Sequence, residues 1–283
     1  MKKEKNENLL KYSLNSPWQF ALVVLIYLVG AVSFPINIFT FFMQGYFSAE
    51  MVAILIARLI CCILPVYLIY SLHLENIFDL KGLLKKALLI IPFLLVSINN
   101  FPFIAIFTKN ASFTTEKWDA WLFYLLAVLS GVLLEELTFR GVILPTLYRE
   151  LKNKKNGAFL AVLYTSLLFG AVHLFNLFAG ASPISVIMQI GYSFLIGGMC
   201  AIAFLKTGSF YSAVVLHFIF NIGGMLIDYK MLSGHIWDLT TIIITAVLAV
   251  LVIIYAIYLL LKGSNCLFDE KIVIPEGEKT NVE

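Results

Sequence analysis

The sequence predicts an all-α fold, a polytopic helical bundle in a membrane, and three observations carry that prediction. Of its 283 residues, 61% are hydrophobic and only 13% charged, with a mean hydropathy of +0.93, whereas soluble proteins average roughly 45–50% apolar and about 25% charged. Apolar stretches long enough to cross a hydrocarbon core, which takes about 20 helical residues, recur along the chain. No run shows the alternation, about ten residues long, of a membrane barrel strand. This composition excludes a disordered chain, a secreted disulfide scaffold and an ordinary cytosolic enzyme.

About eight transmembrane helices are expected, at residues 17–42, 51–72, 87–107, 121–148, 157–178, 184–205, 210–227 and 241–261. The first is too long for the apolar core of a signal peptide and is followed by further spans, so it is expected to stay in the mature chain. No repeat or large soluble domain interrupts the series. Residues 1–283 therefore read as a single transmembrane domain, ending in a polar, charged tail at 262–283 that is expected to be cytoplasmic.

The net charge of +3 says little, but the placement of the cations says more. With the amino terminus in the cytoplasm, Lys2, Lys3, Lys5, Lys11, Lys81, Lys85, Lys86, Arg149, Lys152, Lys154, Lys155, Lys206, Lys262, Lys271 and Lys279 all fall inside. Lys109, Lys117 and Lys230 fall outside, while Arg58 and Arg140 lie within spans. This asymmetry places both termini in the cytoplasm. Cys61, Cys62, Cys200 and Cys266 show no CxxC spacing and read as small apolar fillers.

Glu135 and Glu136 are the carboxylates that sit well inside an apolar run, Leu133-Leu134-Glu135-Glu136-Leu137-Thr138-Phe139-Arg140-Gly141. A charge deep in a span costs about 2.5–3.5 kcal/mol on insertion scales, so an adjacent pair marks a functional site by default. Arg140 follows Glu136 at i+4, on the same helix face, in the favourable order of carboxylate before cation. Glu135 points about 100° away. The expected division is a structural Glu136–Arg140 ion pair with Glu135 free for chemistry; the alternative is a buried ionic knot that only joins helices.

Two histidines sharpen the choice. His173 lies in the fifth span and His217 in the seventh, with Asn221 one turn further on the same face; His73 and His235 lie in or beside loops. A lone intramembrane histidine more often joins helices, but three helices with ionisable groups near mid-span point to a site. Asn99, Asn100, Asn176 and Gln189 read as packing or interface residues. One carboxylate, two imidazoles and a carboxamide, with no obvious nucleophile, suit activation of water. A carboxylate in low dielectric can act as general base, one histidine can orient the water, and the other histidine with the asparagine can stabilise an oxyanion. The same types, Glu135, His173 and His217, can instead hold a zinc ion with its activated water, although there is no HExxH. Both routes end in amide hydrolysis.

In order, Glu135-Glu136-x-x-x-Arg140, Phe169-x-x-x-His173 and His217-x-x-x-Asn221, each on its own helix, resemble the intramembrane protease family of type II CAAX prenyl endopeptidases and bacterial bacteriocin-processing and immunity proteins. The resemblance covers about 121–227, the expected catalytic core. It implies that Glu135 activates water, that His173 works with it, and that His217 and Asn221 serve the oxyanion or, on the other reading, a metal. It also implies that Glu136 and Arg140 are mainly structural and that Phe169 packs near the site.

The expected client is a membrane-inserted or lipid-modified peptide in contact with the lipid bilayer, and no nucleic acid. The Lys-, Asn- and Ile-rich composition looks bacterial, which places the chain in a bacterial plasma membrane and favours a bacteriocin or pheromone precursor over a farnesylated one. The alternative is a non-catalytic, membrane-embedded immunity or regulatory binding protein. A proton-coupled transporter is disfavoured because paired, interrupted helices are not evident.

Overall fold

A computed structural model describes residues 2–33, 47–115 and 117–262. The described residues are helical almost throughout: α1 (Lys2–Asn15), α2 (Pro17–Ser33), α3 (Phe47–Cys61), α4 (Ile63–Ser71), α5 (Lys81–Asn99), α6 (Phe103–Phe107), α7 (Trp118–Thr138), α8 (Leu144–Leu151), α9 (Gly157–Ala171), α10 (Pro183–Thr207), α11 (Phe210–Gly224) and α12 (Leu239–Leu261). Among the described residues, one ribbon pairs β1 (Ala111–Phe113) antiparallel with β2 (Leu232–Gly234).

Six stretches among the described residues are long and apolar enough to span a bilayer: Ala49–Ser71, Lys81–Asn99, Trp118–Leu151, Gly157–Leu177, Pro183–Thr207 and Leu239–Leu261. A seventh arises if Asn8–Asn15 and Pro17–Val32, bent by 111° at Ser16, form one span. Among the described residues, the seventh of the eight expected spans changes character. The end of the first, beyond residue 33, lies outside the described residues, as does the polar tail beyond 262. The seventh is only the 15-residue α11, about 22 Å at 1.5 Å per residue, short of a hydrocarbon core of about 30 Å. It sits among α5, α7 and α10, so its polar side chains face protein.

Local chemistry explains several features. Pro65 has no N–H for the Cys61 carbonyl four residues back, and the Tyr27 hydroxyl donates to that carbonyl instead at 2.7 Å. Helix α10 starts with Ser182 accepting the Ser185 N–H at 3.2 Å and Pro183 in the first turn, and it stops at Gly208 with φ of +62°. The α9–α10 contact is close because Gly170 faces Ile190 and Gly197 faces Phe169.

The loops segregate into two ends. Arg149 Nη2 donates to the Leu72 carbonyl and Phe78 stacks edge-on to Phe210, gathering the helix ends and loops that carry Lys81, Arg149, Lys152, Lys154, Lys155 and Lys206. At the opposite end, Thr114 Oγ1 donates to the Lys230 carbonyl beside the β-ribbon, near Lys109 and Lys117. Helix α1 packs on α4 and α8, toward the lysine-rich end. Interhelical hydrogen bonds run from Asn99 to Thr245, from Asn100 to the Phe220 carbonyl and from Asn176 to Gln189.

Candidate active site

Helix α7 carries both glutamates in its last turn, and the backbone then opens into a π-turn over Phe139–Ile143. Such a turn holds one residue more than an α-turn and rotates the remainder of the helix about its axis. Ile69 lies against Gly141 so tightly that an alanine Cβ there would stand 2.5 Å from Ile69 Cδ1. Arg140, inside the π-turn, donates from Nη1 to Glu136 Oε1 at 2.9 Å and from Nη2 to the Gly197 carbonyl on α10 at 2.7 Å. The guanidinium also stacks over Phe169, with Cζ 4.9 Å from the ring centroid.

Glu136 does more than pair with Arg140. Its Oε1 also meets His217 Nδ1 at 2.7 Å, so α7 and α11 are joined through one carboxylate oxygen. Asn221 Nδ2 lies 3.0 Å from His217 Nε2. Both ring nitrogens are therefore engaged, Nδ1 with the Glu136 carboxylate and Nε2 with the Asn221 amide, and the imidazole is held between them.

Accessibility separates the glutamates. The Glu136 side chain is wholly enclosed at 0% exposure, whereas that of Glu135 keeps 25%, with Oε2 3.7 Å from His217 Nε2. Glu135 is therefore the carboxylate that water or a peptide can reach. His173 stands where α9 tightens into a 3₁₀ segment, Val172–Leu177, nearer the end of its span than expected. Phe169, one turn earlier, makes edge contacts with both imidazoles, at 6.0 Å to His173 and 5.5 Å to His217. His173 lies within electrostatic range of Glu135 and His217.

All six side chains singled out in the sequence thus belong to one neighbourhood of α7, α9 and α11. The sequence did not reveal the Gly197 carbonyl that anchors Arg140 or the bond between Glu136 and His217, since both join segments remote in the chain. Among the described residues, no three His, Cys, Asp or Glu side chains converge closely enough to hold a metal ion. His217 turns Nδ1 to Glu136 and Nε2 to Asn221, so Glu135, His173 and His217 do not fit a zinc ion in this arrangement.

A carboxylate–imidazole–carboxamide cluster enclosed by apolar helices belongs to the class of multi-pass membrane proteins with an internal polar site. Residues 117–223 match the family described as Type II CAAX prenyl endopeptidase Rce1-like. The similarity covers this segment, somewhat over a third of the chain. It covers the helices that carry Glu135, Glu136, Arg140, His173, His217 and Asn221. No curated protein and no solved structure matched the chain.

Proposed function

We propose that the protein is an intramembrane endopeptidase that hydrolyses a peptide bond with water activated by Glu135. The observation that carries this reading is the contrast between an accessible Glu135 and an enclosed, doubly bonded Glu136. The Glu135 carboxylate takes a proton as the water oxygen bonds to the scissile carbonyl carbon. The C–N bond then breaks, and the proton passes to the leaving amine. His173 orients the water, and the Asn221 amide donates to the developing oxyanion. Glu136 and Arg140 hold His217 in place and take no proton.

The substrate is a membrane-inserted or lipid-modified peptide, and the setting is a bacterial plasma membrane with both termini in the cytoplasm. The likeness of residues 117–223 to the CAAX endopeptidase family and the apolar surroundings of the site support this substrate class; the segregation of lysines supports the orientation.

Purified protein in liposomes is to be incubated in H₂¹⁸O with internally quenched peptides, one S-farnesylated and one containing a single apolar span. Hydrolysis places one ¹⁸O in the new carboxylate of the amino-terminal product, read by mass spectrometry. Uncleaved peptides would contradict the reading and favour a binding or immunity role.

A further inference from the structure

Asn221 stands in the last turn of α11, where a helix is least able to hold a side chain still. The final carbonyls of a helix have no partner within it, and such ends fray. A donor to a developing oxyanion has to stay within about 0.5 Å of its productive position. Resting on the proteolytic reading above, we propose that Asn100 and Tyr124 are positioning residues: they clamp the carbonyls on either side of Asn221 and so fix its amide beside the reacting atoms.

The clamp has one jaw from each of two helices. Just past the end of α5, Asn100 Nδ2 donates to the Phe220 carbonyl at 2.8 Å. From α7, the Tyr124 hydroxyl donates to the Ile222 carbonyl at 2.6 Å. Between them the Asn221 carbonyl accepts the Met225 N–H at 3.0 Å and closes the turn. Glycine makes the approach possible. A Cβ at Gly223 would stand 2.5 Å from the Phe101 backbone, and one at Gly224 would stand 2.6 Å from Asn100 Nδ2. Tyr124 is wholly buried, and edge contacts with Trp121 and Tyr229, at 6.0 and 5.6 Å between ring centroids, hold its ring.

What the clamp places is the Asn221 side chain. Its Nδ2 lies 3.0 Å from His217 Nε2, which lies 3.7 Å from Glu135 Oε2. A shift of the last turn of α11 therefore moves the amide relative to both the imidazole and the base. Tyr124 and Glu135 share α7, so one helix locates the base and the oxyanion donor together. Asn100 and Tyr124 exchange no proton and act only through Asn221.

The test measures kcat and KM in liposomes on the same quenched peptides for Tyr124→Phe, Asn100→Ala, Asn221→Ala and the double variant Tyr124→Phe/Asn221→Ala, beside wild type and Glu135→Gln. Tyr124→Phe loses one oxygen and keeps its ring contacts. The expected result for Tyr124→Phe and for Asn100→Ala is a fall in kcat of about tenfold with KM within about threefold. Asn221→Ala should lose about 10²-fold in kcat. Adding Tyr124→Phe to it should cost nothing more, because the clamp then has no amide to place; a bond that only supports the fold would lower kcat again by its full factor. Wild-type kcat in either single clamp variant would overturn that residue's part, and a full further loss in the double variant would overturn the clamp. An inactive Glu135→Gln in the same series leaves the protease reading standing. A readout free of turnover separates the two claims. In protein labelled with ¹⁵N-histidine, the His217 Nε2 resonance should move in Tyr124→Phe as it does in Asn221→Ala. An unmoved resonance would overturn the clamp, whereas a moved one beside uncleaved peptides would support the clamp and overturn only the protease reading.

Discussion

Glu136 and His217, on helices remote in sequence, meet at 2.7 Å through Oε1 and Nδ1. The same oxygen receives Arg140 Nη1, so one enclosed carboxylate balances a guanidinium and engages one nitrogen of an imidazole. The Glu136–Arg140 pair, structural by its helical spacing, is therefore also what orients an imidazole in the candidate site. Because both partners are out of water, the bond is strong only while it is complete.

Glu136→Gln should expose this dependence. It removes the charge and leaves Arg140 buried without a counter-ion, which in such pairs costs about 3–5 kcal/mol. Thermal unfolding in detergent should show a clear drop in midpoint, larger than that of Glu135→Gln, whose carboxylate is accessible. Equal midpoints would mean that Glu136 does not hold the cluster together.

Gly141→Ala should weaken the π-turn through Ile69. The added Cβ would meet Ile69 Cδ1 at 2.5 Å, and overpacking of this kind costs about 1–3 kcal/mol. Removing that methyl with Ile69→Val should restore most of the lost midpoint. Failure of the double variant to recover would place the strain elsewhere.

These details mark where the sequence was legible. Glu136–Arg140 and His217–Asn221 are i, i+4 pairs, and helical geometry alone puts each on one face. Helix length gave most spans, because a bilayer sets a minimum that composition reveals. The Glu136–His217 bond joins residues 81 apart and the Arg140–Gly197 bond residues 57 apart. Tertiary packing fixes these, and no local periodicity encodes them. The shortness of α11 was hidden for the same reason: an apolar run enclosed by other helices reads like one that faces lipid.

Asp238 predicts a pH effect at the start of α12. Its Oδ1 accepts the Thr241 N–H at 2.9 Å and its Oδ2 the Thr241 hydroxyl at 3.0 Å. The Thr241 backbone N–H is the largest cause holding its carboxyl below the ordinary carboxylate value. A lowered folded-state value stabilises above the unfolded value, and that stabilisation is lost as pH falls through the folded one. Wild type should lose thermal midpoint on acidification through and below the ordinary carboxylate range more steeply than Asp238→Asn. Parallel curves would show that the cap contributes nothing.

Metal dependence gives an independent check. With Glu135 as the base and His217 held between Glu136 and Asn221, turnover should survive 1,10-phenanthroline, and elemental analysis of purified protein should show no stoichiometric zinc. Inhibition reversed by added zinc would restore Glu135, His173 and His217 as a ligand set and require the helices to rearrange.

The most direct test of the central claim is the turnover number of Glu135→Gln on a peptide the wild type cleaves. Loss of a general base costs about 10²–10⁴-fold. The account predicts a loss in that range with a thermal midpoint close to wild type, since Glu135 is the accessible glutamate. Turnover at the wild-type rate would contradict it.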